Sequence, residues 1–128
     1  MKLPRLNRPE LQVMEALWTR GTLSIREIQE TFPEAKRPPY TSVQSLVNRL
    51  EAKKAVRRTR KIGNAHIFEA VLSRNVVQRR LIDDFLSLFG GQMQPIMTHL
   101  IDAGRFTLED VQAAERELRR LAKQERSS

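Results

Sequence analysis

With 128 residues, 40% of them hydrophobic and 30% charged, the chain suits one domain or one domain with a small appendage. It has no cysteine, which excludes disulfides, thiolate zinc sites and thiol catalysis; no apolar run approaches the ~20 residues that cross a bilayer. The net charge of +8 is one-sided: residues 1–75 hold fifteen Lys/Arg against seven Asp/Glu, whereas 76–128 hold eight of each. Such a field points to a polyanionic partner. The start, MKLPRLNRPE, lacks the apolar core of a signal peptide, so a cytoplasmic location is expected.

In Pro9–Trp18 the apolar residues Leu11, Met14, Leu17 and Trp18 recur at helical spacing, and Gly21 closes that element. Thr22 and Leu23 allow only a stub of strand. Ser24 opens SIRE, a capping box with Glu27, and Ile25, Ile28 and Phe32 stripe the second helix up to Pro33. EAKRPP reads as a loop. Thr41 opens TSVQ, a weaker capping box with Gln44. The third helix then buries Val43, Leu46, Val47 and Leu50. Its opposite face carries Ser42, Gln44, Ser45, Asn48 and Arg49, where a merely solvated face would favour Glu and Lys.

Residues 53–61, KKAVRRTRK, hold six cations and no anion. β-Branched content rises from Val56 to Val71, interrupted by Gly63-Asn64, which is a hairpin signal. Ile67 and Val71 are expected on one strand face and Phe68 on the other. Ser73 caps a fourth helix, with Val77, Leu81, Ile82, Phe85, Leu86 and Phe89 at helical spacing until Gly90-Gly91. Ile96, Met97, Leu100 and Ile101 make a short fifth helix. Thr107 caps a sixth carrying Val111, Ala114, Leu118 and Leu121, and the final KQERSS is expected to fray.

The expected fold is mainly α (α+β). Residues 1–73 form a winged helix-turn-helix of three helices plus a two- or three-stranded wing, and 74–128 a three-helix dimerisation domain. About fifty residues cannot close a good core alone, so a homodimer is favoured over a tail packed back on the first domain. Its expected contacts are Val77, Leu81, Phe85, Leu86, Phe89, Ile96, Met97, Leu100, Val111, Leu118 and Leu121.

A recognition helix fits the major groove, where Gln and Asn pair with adenine and Arg with guanine. Ser42, Gln44, Ser45, Asn48 and Arg49 are therefore the candidate base readers. Tyr40 and Thr41 at the helix start, with Lys53, Lys54, Arg57, Arg58, Arg60, Lys61 and His66 along the wing, are the candidate phosphate contacts. On this reading the counter-charge missing from KKAVRRTRK is the DNA backbone. A basic strand edge also discourages sheet-to-sheet pairing, but two or three lysines would suffice for that.

The strings ELQVMEALW (10–18), GTLSIREI (21–28), YTSVQSLVNRLEAKKAV (40–56) and GNAHIFEAVLSR (63–74) resemble the penicillinase-repressor family, the BlaI/MecI/CopY type. LFGGQMQPIMTHLI (88–101) and TLEDVQAAERELRRL (107–121) follow in the family's order, so the resemblance spans roughly residues 6–122. It implies a transcriptional repressor, a homodimer on a palindromic operator in double-stranded DNA. In the penicillinase branch a membrane sensor protease leads to cleavage at an Asn-Phe bond. His99-Leu100 stands there instead, and the tail cysteines of the copper-sensing branch are absent, so the inducing signal stays open.

No catalytic residue, cofactor or metal site is expected. His66 and His99 are distant from each other, and Asp83-Asp84 has no accompanying base or nucleophile. Two alternatives remain: a PadR-type repressor, against which the LFGG spacing speaks, and a non-specific architectural nucleic-acid binder. A winged helix used for protein contacts would need an acidic or apolar recognition face, which this one is not.

Overall fold

The computed structural model describes residues 3–127. Asn7 starts the first helix, α1 (Arg8–Arg20), through a capping box: its side chain accepts from the Glu10 N–H, and the Glu10 carboxylate accepts from the Asn7 N–H, both at 2.9 Å. Pro9 lies in the first turn, and Gly21 ends the helix at φ 88°. The buried face is Glu10, Val13, Met14, Ala16 and Leu17; Leu11 and Trp18 lie at its margins. Ser24 ends the two-residue strand β1 (Leu23–Ser24) and caps α2 (Ile25–Thr31), in the capping box with Glu27 that the sequence called for.

The connection to α3 (Tyr40–Ala52) contains one turn of 3-10 helix, Glu34–Lys36. Here the expected TSVQ box does not form. The cap is Pro39, without a side-chain bond, and Thr41 is already helical. The extended conformation of Pro39 sets the chain direction two residues earlier than Thr41 would. α3 ends on Lys54 at φ 62°, with the Ala55 N–H donating to the Leu50 carbonyl at 2.9 Å and the Lys54 N–H to that of Glu51 at 3.0 Å. This is a Schellman closure with lysine in the left-handed position that glycine usually takes.

β2 (Val56–Ile62) and β3 (Ala65–Ala70) flank the Gly63-Asn64 turn. The sheet is antiparallel and three-stranded in the order β1-β3-β2, with an irregularity between Arg58 and Arg60. Ile67 and Phe68 are both buried. Val71, expected to share the Ile67 face, lies outside the strand and is 51% exposed. Past Ala70 the Val71 and Leu72 N–H groups turn to the Ala55 carbonyl, at 2.8 and 3.3 Å, which takes the chain off the pleat. Val13, Met14, Leu17, Ile28, Val43, Val47, Leu50 and Phe68 make one core under the three helices and the sheet.

The chain divides into two compact units, Met1–Ile82 and Asp83–Ser128. α4 (Arg74–Ser87) starts on Ser73, whose hydroxyl accepts from the Val76 N–H at 3.2 Å. Its first turns dock within the first unit. Arg74 bonds Glu15 at 2.7 Å and lies over Trp18, the Trp18 indole donates to the Leu72 carbonyl at 2.9 Å, and Val77 is buried.

In the second unit, α5 (Gln94–Asp102) and α6 (Leu108–Ser127) follow the end of α4. Thr107 caps α6 reciprocally with Asp110, and these bonds hold the Asp110 carboxyl below the usual carboxylate range. Contrary to the expected fraying, residues 123–127 of KQERSS stay helical. The preceding turns of α6 are laced by Arg119–Glu115 and Arg120–Glu117 pairs at i,i+4 and i,i+3 spacing.

Candidate nucleic-acid interface

Two side chains fix the turn that presents α3. Gln29 donates to the Pro38 carbonyl at 3.0 Å, and Arg37 donates to the carbonyls of Phe32 and Glu30 at 3.1 and 3.2 Å. With Val43, Leu46, Val47 and Leu50 inward, Ser42, Gln44, Ser45, Asn48 and Arg49 are all exposed, as is Thr41. They form two ridges. Tyr40, Gln44 and Asn48 border a concavity of about 490 Å³ shared with the wing, while Ser42, Ser45 and Arg49 border one of about 690 Å³ on the other side. At the start of α3 the first backbone N–H groups have no intrahelical acceptor, beside the exposed Tyr40 and Thr41.

The wing side also contains Arg26, Asn64 and His66. Sequence reading missed Arg26. It is exposed in the first turn of α2, and only the fold brings it opposite Tyr40 and Gln44. The signal available was a lone cation just inside a capping box, a position that faces whatever α3 faces in a helix-turn-helix.

The cationic run is less uniform than the sequence implied, because three of its six members have counter-charges within the protein. Lys53 is the clearest. Its ammonium bonds both Glu10 carboxylate oxygens, at 2.9 and 2.8 Å, and the Arg5 carbonyl at 2.9 Å. Lys53 is 33% exposed and Glu10 fully buried. Burial pushes the Glu10 carboxyl up, but the Asn7 N–H, the Lys53 ammonium and the charge of Arg49 outweigh it, and the net shift is downward. Lys53 is thus the structural partner of a buried carboxylate.

Arg57 pairs across the strands with Glu69. Arg58 bonds Glu51 at 2.9 Å and lies 5.6 Å from the centroid of the Phe68 ring. Among the described residues, Lys54, Arg60 and Lys61 are exposed and make no ion pair, and His66, opposite Lys61 in the hairpin, is exposed as well. Arg26 borders the same concavity as His66 and, among the described residues, is exposed and without an ion pair.

Of the residues expected to meet a partner copy, Val77 is buried within the chain itself. Leu86, Ile96, Met97 and Leu100 are half-buried, while Leu81, Phe85, Phe89, Val111, Leu118 and Leu121 are exposed, Leu118 at 67%. The Phe85 and Phe89 rings pack against each other at a tilt of 60°, with centroids 5.1 Å apart. No described residue of the second unit whose burial is defined is fully buried. Among the described residues no group of His, Asp and Glu could hold a metal, and no helix is long and apolar enough to cross a membrane.

Three helices, a short third strand and a hairpin wing define a winged helix-turn-helix protein with a helical tail. The family model described as "Penicillinase repressor" matches residues 6–121, and the chain belongs to that family of DNA-binding transcriptional regulators, which are not enzymes. No curated protein matches the chain. Among solved structures it is similar to Bordetella bronchiseptica BpsR, from work on regulation of that protein's DNA binding by 6-hydroxynicotinic acid. Identity is 16% and the TM-score 0.48, over 91% of this chain and 80% of that one.

Proposed function

We propose that the chain is a sequence-specific repressor that binds a palindromic operator as a homodimer and is released by a signal acting on its tail. The observation that carries this reading is the outer face of α3: short and amide side chains, solvent-exposed, beside a wing whose Lys54, Arg60 and Lys61 lack internal partners. In it, α3 enters the major groove. Gln44 and Asn48 read base edges on the wing side, with Ser42, Ser45 and Arg49 on the other. Tyr40, Thr41, Lys54, Arg60, Lys61 and His66 meet phosphates.

The dimer reading rests on the second unit, which leaves Leu118, Leu121, Val111 and Phe85 in water. A second copy would cover that apolar surface at no net charge cost, since residues 76–128 are balanced. The release signal is a protease system or another input. The His99-Leu100 bond lies inside α5, so a protease would need that helix to open.

The test compares Asn48→Ala with wild type on a selected operator and on random duplex. The variant should lose about 1–3 kcal/mol on the operator and far less on random DNA. Equal losses on both would favour the non-specific architectural reading.

A further inference from the structure

The concavity of about 690 Å³ on the side of α3 away from the wing sets three of the candidate base readers beside residues that the sequence reading did not include. It is bordered by Gln12 of α1, Lys36 of the 3-10 turn, and Ser42, Ser45 and Arg49 of α3. Lys36 is exposed and, among the described residues, forms neither an ion pair nor a side-chain hydrogen bond; Gln12 is exposed too. The adjacent cation, Arg37, has its guanidinium engaged on the Phe32 and Glu30 carbonyls, so Lys36 is the loop cation without a hydrogen-bond partner among the described residues.

We propose that Lys36, assisted by the Gln12 amide, binds a phosphate on the second strand of the duplex, the strand that the wing does not reach. The inference rests on α3 entering the major groove. A helix in that groove lies between two phosphodiester backbones, one along each wall. The ridge Tyr40, Gln44, Asn48 faces the wing concavity, and the ridge Ser42, Ser45, Arg49 faces this one. If the first ridge's wall is met by Arg60 and Lys61, the second ridge's wall comes against Lys36 and Gln12. Both groups are donors, as a phosphate requires. The loop holding Lys36 is braced by Arg37 and by the Gln29 bond to Pro38, so the ammonium is delivered from a fixed backbone.

The experiment is phosphate-ethylation interference on both strands of one operator, with the salt dependence of binding, for full-length wild type, Lys36→Gln and an Arg60→Ala/Lys61→Ala wing variant. Lys36→Gln should lower the slope of log K against log salt by about 0.9 and abolish interference at a phosphate on the strand that the wing variant leaves unchanged. A slope and interference pattern identical to wild type would overturn the proposal, as would loss at the same phosphates as the wing variant. Failure of wild type to bind duplex at all would instead refute the DNA-binding reading beneath it.

Discussion

Lys53→Met removes the one ammonium on a fully buried carboxylate while keeping the length of the side chain. Breaking a fully buried pair costs about 3–5 kcal/mol. Lys53 is a third exposed and the Asn7 N–H still serves Glu10, so about 2–3 kcal/mol is expected at pH 7. For a unit of this size that is a fall in Tm of about 10–20 °C.

Acid should reveal the mechanism. The folded Glu10 carboxyl sits below its ordinary value, so its stabilising contribution is present above the ordinary carboxylate range and is lost as pH falls through the lowered one. In Lys53→Met, burial is opposed by less, the carboxyl takes up a proton earlier, and the deficit against wild type should narrow from pH 7 towards pH 4. Urea unfolding followed by Trp18, the single tryptophan and a residue of the first unit, measures this directly. Glu10→Gln/Lys53→Met should recover part of the loss, since no buried charge is then left unpaired. A deficit under about 0.5 kcal/mol at pH 7, within the range of ordinary surface changes, or one constant with pH, would show that the Lys53–Glu10 pair does not hold the unit together in this way. The same variant should leave the salt slope of DNA binding unchanged, because Lys53 is engaged inside the protein.

Replacing Arg60 and Lys61 together by alanine should weaken operator and random DNA alike and lower the salt slope by about 1.8, measured by anisotropy titration across salt concentrations. In the tail, Leu118→Glu sets a carboxylate on the exposed apolar face of α6 and should turn a dimer into monomers in sedimentation experiments, with the helical content of the first unit retained. An unchanged mass would separate α6 from the dimer interface.

Features set by neighbours in sequence were readable. The Ser24–Glu27 box, the Ser73 cap, the Thr107 cap and the Gly63-Asn64 turn follow from spacings of two to four residues and appear as expected. So does the inward stripe of α3. The local TSVQ box is an exception, displaced by the cap at Pro39, while the ion pairs of the cationic run depend on distance along the chain. Lys53 meets Glu10 across 43 residues, Arg57 meets Glu69 across 12, and Arg58 meets Glu51 across 7. Counting charge within residues 53–61 finds no partner for any of them.

Lys54 gave no warning of a left-handed turn because the position lacks the glycine that would announce it. Arg26 and Lys36 look like unremarkable surface cations in sequence. Their placement on opposite sides of α3 comes from the packing of α2, the 3-10 turn and the wing.

If α3 and the wing meet the duplex and the last helix does not, backbone amide shifts of the intact protein, followed by NMR as a duplex operator is added, should concentrate at residues 40–49 and 57–66, with residues 108–126 unmoved. Shifts confined to α6, or none at low salt, would contradict that contact.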